Sequence, residues 1–312
     1  MKAGFMAGYK KTGISAVDVA ILLLLAIIWG SAFGAIKLAV EATAPLTIAA
    51  SRSVLAFLSI GLVVIFRLGV AGFLAPLVNP RLMFIGITGT FAPFVLISWA
   101  ELHIASSQAG LLMASGPFVT MIGGHFITRD EQMTPLRVTG VLTGLVGVSI
   151  LFWDGVQSLG SSSVLAQLAL IFAACCYASS NLSVRAVSHL SPLQIAASSF
   201  FISAVISLPL ALALEQPRPL SWSAEIWAAL LWLGVISTAF AFSLRYVLIA
   251  RAGAGFMSNV GYLIPLVAAM IGWLVLDEPV DIVTIVAMII IIISIILAQR
   301  SGTHFKDQPE RA

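Results

Sequence analysis

Ten runs of mostly apolar residues, each about as long as a helix that crosses a bilayer, follow one another along this chain. Short polar or turn-rich segments, among them TRDEQMTP at 128–135 and EQPRP at 215–219, separate the runs. Only 9% of the 312 residues are charged, whereas soluble domains carry about 25% charged residues. No soluble core could hide this much apolar surface, so the pattern predicts an all-α membrane protein. The ten predicted transmembrane helices are 19–38, 46–66, 82–101, 108–128, 136–153, 164–184, 193–214, 226–248, 255–276 and 281–298.

The basic residues of the short loops predict how the chain is oriented. If the N-terminus is cytoplasmic, twelve Lys and Arg residues fall on the cytoplasmic side and only Lys37 and Arg218 fall outside. Lys and Arg concentrate in the cytoplasmic loops of membrane proteins, so both termini are expected in the cytoplasm. The first run, which follows Lys10 and Lys11, could alternatively be a cleaved signal peptide. The internal repeat described next needs this segment to be retained.

Two short stretches of the chain nearly repeat each other. Residues 45–51 read PLTIAAS and residues 192–198 read PLQIAAS, so six of seven positions match 147 residues apart. Each unit holds five helices, an odd number, and the second unit therefore enters the membrane from the opposite side. The sequence predicts two inverted-topology five-helix repeats, 19–153 and 164–298, between an N-terminal segment 1–18 and a tail 299–312. Further matched pairs, at offsets of 147 or 148, are 27–39 with 175–187, 86–92 with 234–240 and 114–124 with 262–272.

The first repeat carries a family resemblance. WGSAFGAIKLA…P-L…R at 29–52, and a Gly-rich fourth helix with a proline before the acidic turns RDEQMTP and LDEPVD, resemble an EamA-type domain. Two such domains in tandem resemble the bacterial drug/metabolite transporter superfamily. The resemblance implies a carrier in the cytoplasmic (inner) membrane, often an exporter of amino acids or other metabolites. The second repeat departs from the pattern, because Tyr177 replaces Trp29 and Ser199 replaces Arg52.

The first helix of each repeat has a stripe of three residues at i, i+4 and i+8, which share one helical face. These stripes predict a central substrate cavity with an aromatic wall and a charged mouth on each side. Alternatively, the two cations reach the headgroups at the membrane surface. In the second repeat, Asn181 lies between the aromatic residue and the cation of the stripe, and a buried polar group in mid-membrane points to function. The stripes are Trp29, Phe33 and Lys37, and Tyr177, Asn181 and Arg185.

Prolines fall mid-span in both fourth helices, at Gly116-Pro117 and Ile264-Pro265. Proline removes a backbone donor and crowds the preceding turn. Interrupted helices at matching positions of two halves indicate a transport site, although a simple structural kink is the alternative. Three neighbouring side chains could donate or accept hydrogen bonds there, namely Ser115, Asn259 and Tyr262.

The third helix of the first repeat ends with Trp99, Glu101 and His103. Glu101 is the carboxylate closest to the membrane interior. Proton-coupled carriers keep a titratable group inside the membrane, and Glu101 with His103 is the one candidate. An exposed pair at the outer rim is the favoured interpretation.

Arg52 lies about 9 Å along the second helix at 1.5 Å per residue. Its side chain either reaches the outer surface or binds an anionic group, such as a carboxylate, bidentately. Both interpretations stay open. The absence of an equivalent in the second repeat suggests a role that breaks the symmetry.

A secondary carrier for a small polar or amphipathic solute is the leading functional hypothesis, working by alternating access between the two repeats. A membrane-embedded enzyme and a receptor without transport are the alternatives. The sequence contains neither an H-E-x-x-H site nor a P-loop, and we expect no catalytic residues, no cofactor and no metal. The expected partners are a small-molecule substrate and the lipid bilayer, with no nucleic acid. Gly30-xxx-Gly34 favours close packing within the chain over dimerisation, and the oligomeric state, monomer or homodimer, stays open.

Overall fold

The structure, a computed structural model, describes residues 14–127, 134–158, 161–187, 189–218, 221–252, 254–257, 259–279 and 281–300. Every regular element of this described part is helical. The helices in chain order are α1 (Ala16–Val40), α2 (Pro45–Val78, kinked at Gly69), α3 (Pro80–Ala100), α4 (Ser106–Met113), α5 (Gly116–Ile127), α6 (Pro135–Ser158), α7 (Ser161–Ser183), α8 (Pro192–Leu214), α9 (Ala224–Leu231 continued by Trp232–Phe240 and Ala241–Ala252), α10 (Ala254–Met257), α11 (Val260–Val275) and α12 (Ile282–Arg300).

Several of these helices are long and apolar enough to cross a membrane. Six segments of the described chain meet that requirement, and three shorter apolar helices accompany them. The prediction of an all-α, strongly apolar protein is therefore confirmed for the described residues. The six segments are Ala16–Val40, Pro45–Val78, Pro80–Ala100, Ser163–Ser183, Pro192–Leu214 and Ala224–Ile249, and the shorter helices are Val138–Ile150, Leu263–Val275 and Ile282–Ser294.

The segments PLTIAAS and PLQIAAS begin α2 and α8. Pro45 and Pro192 are the first residues of these helices, where no backbone donor is needed and the fixed φ of proline suits the helix. The Ser191 hydroxyl accepts a hydrogen bond from the N–H of Gln194, whose side chain accepts one from the N–H of Ser191. This capping box satisfies two free donors of α8. The near-repeat in the sequence thus starts a helix in each half of the chain.

Two of the predicted spans consist of two helices each. α4 ends at Met113 and α5 begins at Gly116, so the interruption predicted at Gly116-Pro117 is present. The corresponding prediction for Pro265 is wrong, because Pro265 lies inside the continuous helix α11. The turn at Asn259, six residues earlier, separates α10 from α11. Proline removes only one backbone bond, and a helix whose other bonds are intact can continue through it.

The first helix of each half of the chain packs against the third and fourth helices of the other half. α1 lies against α9 and α11, and α7 lies against α3 and α5. Gly30 and Gly34 of α1 face Val267 and Ile271 of α11. Small residues let two helix backbones approach closely. The prediction that Gly30-xxx-Gly34 packs within the chain is therefore confirmed.

Two close glycine contacts recur at the offset of the repeat. A Cβ atom on Gly234 would lie 2.5 Å from Cβ of Leu55, and one on Gly86 would lie 2.9 Å from Cβ of Ile202. Gly86 and Gly234 are 148 residues apart, and Leu55 and Ile202 are 147 residues apart. The third helix of each half therefore meets the second helix of the other half at the same place.

Hydrogen bonds at the π-helical turns of α3 and α9, where the helices are wider, also recur at the offset of the repeat. The hydroxyl of Thr238 in α9 accepts a hydrogen bond from Nε of Arg52 at 2.7 Å, and the hydroxyl of Thr90 in α3 donates one to the carbonyl of Ser199 at 3.1 Å. Short π-helical turns are frequent at functional sites. Here the two halves differ in one partner, an arginine side chain against a serine backbone. The π-helical turns are Ile87–Phe91 and Trp232–Phe240.

Adding one methyl group to Gly30 should destabilise the bundle. In Gly30→Ala the new Cβ would lie 2.5 Å from Cβ of Val267 and 3.1 Å from the carbonyl oxygen of Ile264, and overpacking of this kind costs about 1–3 kcal/mol. We expect a lower melting temperature for the purified protein in detergent. Gly261→Ala in α11 is the control, since its new Cβ would meet only Pro117, at 3.9 Å. Equal melting temperatures for the two variants would contradict this packing.

Candidate functional site

A carboxylate of the second half caps α2, a helix of the first half. Glu215, at the end of α8, accepts hydrogen bonds from the backbone N–H of Leu46 at 2.9 Å and of Thr47 at 2.6 Å, and from the Thr47 hydroxyl at 2.6 Å. The first N–H groups of a helix have no partner within the helix and carry partial positive charge. Glu215 thereby ties the two halves together at the end of the bundle where α1 ends, called the Lys37 end below.

Glu278, also of the second half, caps the N-terminus of α4 in the same way. Its carboxylate accepts hydrogen bonds from the N–H groups of Ser106 at 2.6 Å and Ser107 at 3.1 Å, and from the Ser107 hydroxyl at 2.6 Å. Two helices of the first half are therefore capped by acidic residues of the second half, both at the Lys37 end. Among the described residues, helix N-termini and not basic side chains compensate these two negative charges.

Lys37 closes a helix rather than reaching outward. Its Nζ donates to the backbone carbonyl oxygens of Glu101 at 2.7 Å and Ile104 at 3.0 Å, just beyond α3. A cation at a helix C-terminus is stabilised by the unpaired carbonyl groups there. The interpretation that Lys37 extends towards lipid headgroups does not fit this geometry. The side chain of its predicted counterpart Arg185 lies outside the described part of the structure.

Glu101 is completely buried, and the predicted exposed pair with His103 is wrong. The side chain of Glu101 has 0% exposure, and neither carboxylate oxygen has a hydrogen-bond partner among the described residues. The imidazole of His103 is exposed, and its centre lies 4.9 Å from the ring of Trp99. The chain turns at the end of α3, so side chains two residues apart point to different environments. Glu101 interacts electrostatically with Lys37, Arg52 and Glu278.

Arg52 is buried inside the bundle with 7% exposure, so the interpretation that it reaches the surface is wrong. Its Nε donates to the Thr238 hydroxyl at 2.7 Å, and its guanidinium carbon lies 3.9 Å from the centre of the Phe94 ring. Stacking on an aromatic face fixes the guanidinium plane. The two terminal nitrogens make no hydrogen bond to any residue that the structure describes. The side chains of Tyr177 and Glu101 are the nearest ionisable groups to this guanidinium.

The predicted aromatic wall is divided between two apolar clusters. Phe33, Trp99 and Tyr177 pack into the same cluster. Trp29 belongs to another, in which its Nε1 donates to the carbonyl of Ser237 at 3.0 Å and its ring meets Phe242 edge-on at 6.3 Å. Trp29 thus joins α1 to α9, whereas the other three rings lie in the larger cluster.

The remaining predicted residues do not form one group. Asn181 is exposed near the end of α7, so its predicted position as a buried mid-membrane group is wrong. Ser115 is buried between α4 and α5, and its hydroxyl has no partner among the described residues. Asn259 is half-buried beside α11, and the side chain of Tyr262 lies outside the described part. Across the described residues, no three His, Cys, Asp or Glu side chains come together as a metal site.

Four residues of this region were missed as site candidates. Glu215 and Glu278 stand in loops, and sequence alone does not show which helix a loop carboxylate caps. The acidic turn LDEPVD contains Glu278 and was the one available signal. Phe94 and Thr238 position Arg52, and the matched segment 234–240 had already pointed to the neighbourhood of Thr238.

Neutralising Glu278 should loosen the start of α4. In Glu278→Gln the charge that faces the helix N-terminus is lost, and a lost cap costs about 0.5–2 kcal/mol. We expect a lower melting temperature in low-salt detergent solution. Asp277→Asn is the matched control, because Asp277 is exposed and holds no helix terminus. A drop in the control as large as that in Glu278→Gln would point to net charge instead of the cap.

Comparisons of sequence place the chain among transport proteins. A transporter from Archaeoglobus fulgidus named as uncharacterised is 24% identical over 280 residues, which cover 90% of this chain and 98% of that protein. A probable terminal-alkyne amino-acid exporter from Streptantibioticus cattleyicolor is 25% identical, over 82% of this chain and 84% of the relative. An S-adenosylmethionine/S-adenosylhomocysteine transporter from Chlamydia trachomatis is 28% identical, over 84% and 83%.

The fold is also found in a solved structure. A crystal structure with 18% sequence identity superposes with a TM-score of 0.66, covering 93% of this chain and 99% of the other. At this identity the likeness shows the fold alone. The model of the EamA-like transporter family matches this chain twice, at residues 18–153 and 164–299. With both halves matched almost completely, the chain belongs to the EamA-like transporter family.

Proposed function

We propose that this protein is a secondary transporter of the cytoplasmic membrane, built from ten transmembrane helices with both termini in the cytoplasm. In this arrangement α4 with α5 and α10 with α11 each form one interrupted span. The repeats extend over 19–153 and 164–298, between the segment 1–18 and the tail 299–312. The two repeats have opposite topology, since each contains an odd number of spans.

The exchange of contacts between the halves carries this proposal. Each first helix packs on the third and fourth helices of the other half, and the Gly234–Leu55 contact has its counterpart in Gly86–Ile202. Each half makes the same helix contacts with the other half. The bundle can therefore adopt two equivalent packings in which the roles of the two halves are exchanged. Transporters built from inverted repeats use such pairs to open alternately to each side of the membrane.

The two ends of the bundle are closed by different contacts. At the Lys37 end, Glu215 and Glu278 hold helices of the opposite half. At the other end, Nε of Arg251 in α9 forms an ion pair with Asp18 in α1 at 2.6 Å. Alternating access requires one set of contacts to break while the other remains. Hydrogen bonds and ion pairs of this kind can be exchanged during a cycle more readily than a packed apolar core.

The substrate class follows from the relatives and from the buried polar groups together. One relative is named as a probable exporter of an amino acid and another as a transporter of S-adenosylmethionine and S-adenosylhomocysteine. Trp99 and Tyr177 provide aromatic surface in the same cluster, which suits an amphipathic solute. We therefore assign to this protein the export of amino acids or other small metabolites, released chemically unchanged.

Purified protein in liposomes should catalyse saturable flux of L-amino acids. The assay measures exchange of radiolabelled L-amino acids across the vesicle membrane, with protein-free liposomes as the blank. Trp29→Ala should slow this flux several-fold, because Trp29 joins the halves through the Ser237 carbonyl. Phe172→Ala removes an exposed aromatic ring of α7 and should leave the flux unchanged. Flux of no small metabolite at all, or products that differ chemically from the added solute, would contradict the proposal.

A further inference from the structure

Two ionisable side chains of opposite type are buried in this bundle and make no ion pair with any described residue. Arg52 has 7% exposure and Glu101 has 0%. Both carboxylate oxygens of Glu101 and both terminal nitrogens of Arg52 lack hydrogen-bond partners among the described residues. Burying an unpaired charge is among the costliest arrangements in a protein. Such a pair therefore indicates that another molecule supplies the missing partners.

The neighbouring charges are already occupied elsewhere. Lys37 donates to backbone carbonyls at the end of α3, and Glu278 accepts from the N-terminus of α4. Arg52 and Glu101 interact electrostatically, yet they form no ion pair within 4.0 Å in the described structure. Thr238 and Phe94 hold the guanidinium by its Nε and by its face. The edge with the two terminal nitrogens is left for a ligand.

We propose that Arg52 and Glu101 are the two poles of a binding site for the zwitterionic head group of an α-amino acid. The terminal nitrogens of Arg52 bind the substrate carboxylate, for which the planar guanidinium fork is suited. The carboxylate of Glu101 binds the substrate ammonium group. Phe33, Trp99 and Tyr177, which belong to one apolar cluster, provide apolar surface for the side chain.

Only a ligand with both charges satisfies both poles. A monocarboxylate would leave Glu101 unpaired, and a simple amine would leave Arg52 unpaired. The equivalent positions of the second half are Ser199, at the offset of 147 that relates the second helices, and Ile249, at the offset of 148 that relates the third helices, so the other half holds no second pair of this kind. The site is therefore single, and it gives a symmetric scaffold one polar direction.

This inference rests on the proposed transport function and names the chemistry of its substrate. The first experiment uses full-length purified protein and the twenty common L-amino acids, each added singly, with the melting temperature as the readout. For the amino acid that stabilises most, two analogues follow, the amine that lacks the carboxylate and the acid that lacks the ammonium group. We expect the amino acid to bind at least about tenfold more tightly than either analogue, since each loses a charge-assisted hydrogen-bonded pair.

The variants Glu101→Gln and Arg52→Gln test the two poles separately. Glu101→Gln should weaken binding of the amino acid about tenfold or more and leave binding of the ammonium-free acid unchanged. Arg52→Gln should likewise weaken binding of the amino acid, and it should leave binding of the carboxylate-free amine unchanged. Glu41→Gln and Arg218→Gln, at exposed positions, are the charge-matched controls and should bind all three compounds as the wild type does.

Stability of the unliganded protein provides an independent readout. Because Glu101 makes no hydrogen bond, Glu101→Gln should leave the melting temperature unchanged or raise it. A lower melting temperature would assign Glu101 a structural partnership and overturn the proposal. If Arg52→Gln fails to fold, the comparison of the three compounds on the wild-type protein still decides.

Some further results would overturn the site without touching the transport function. One is saturable flux of solutes irrespective of their head groups, and another is an equal loss of affinity for all three compounds in both variants. A third is an effect of Glu101→Gln that is confined to the pH dependence of flux, which would make Glu101 a proton site. The absence of any flux would instead refute the transport function. Binding of none of the twenty amino acids, together with flux of other solutes, refutes the zwitterion site alone.

Discussion

A charge placed among apolar helices must find a compensating group, and this requirement organises the Lys37 end of the bundle. Lys37 uses free carbonyl groups beyond α3, whereas Glu215 and Glu278 use free N–H groups of α2 and α4. Helix termini leave such groups unpaired, so no oppositely charged side chain is needed. Arg52 and Glu101 stand out against this background, because neither forms an ion pair within the described structure and the carboxylate of Glu101 has no hydrogen-bond partner there.

The internal repeat explains both the symmetry of the scaffold and its single exception. Equivalent glycines let the third helix of each half approach the second helix of the other, and equivalent threonines form hydrogen bonds at the widened turns of α3 and α9. At one of these turns the partner is the side chain of Arg52, and at the other it is the backbone of Ser199. In the proposed transport cycle, a scaffold of two like halves provides two alternative packings, and in the proposed site the unmatched arginine orients the substrate.

Most of the fold was predictable from the sequence, because apolar periodicity and a fixed offset are local signals. Pro45 and Pro192 start their helices one residue before the predicted spans 46–66 and 193–214. Side-chain environments were less predictable. Pro265 continues a helix, Glu101 turns inward and Asn181 is exposed, since each outcome depends on which helix lies alongside. Counting residues along a predicted span likewise gives the depth of a charged side chain in its own helix, but it does not show which side chain of another helix that charge contacts.

The proposed transport cycle depends on the opposite orientation of the two halves. Ala42 and His189 are exposed and 147 residues apart, so they occupy equivalent positions before α2 and α8. In a protein whose Cys175 and Cys176 are replaced by alanine, a single cysteine is introduced at each position in turn. Labelling of intact cells with a membrane-impermeant thiol reagent should modify the cysteine at 42 and leave the cysteine at 189 unmodified until the membrane is permeabilised. Modification of both positions from the same side would contradict the inverted repeat and the transport cycle built on it.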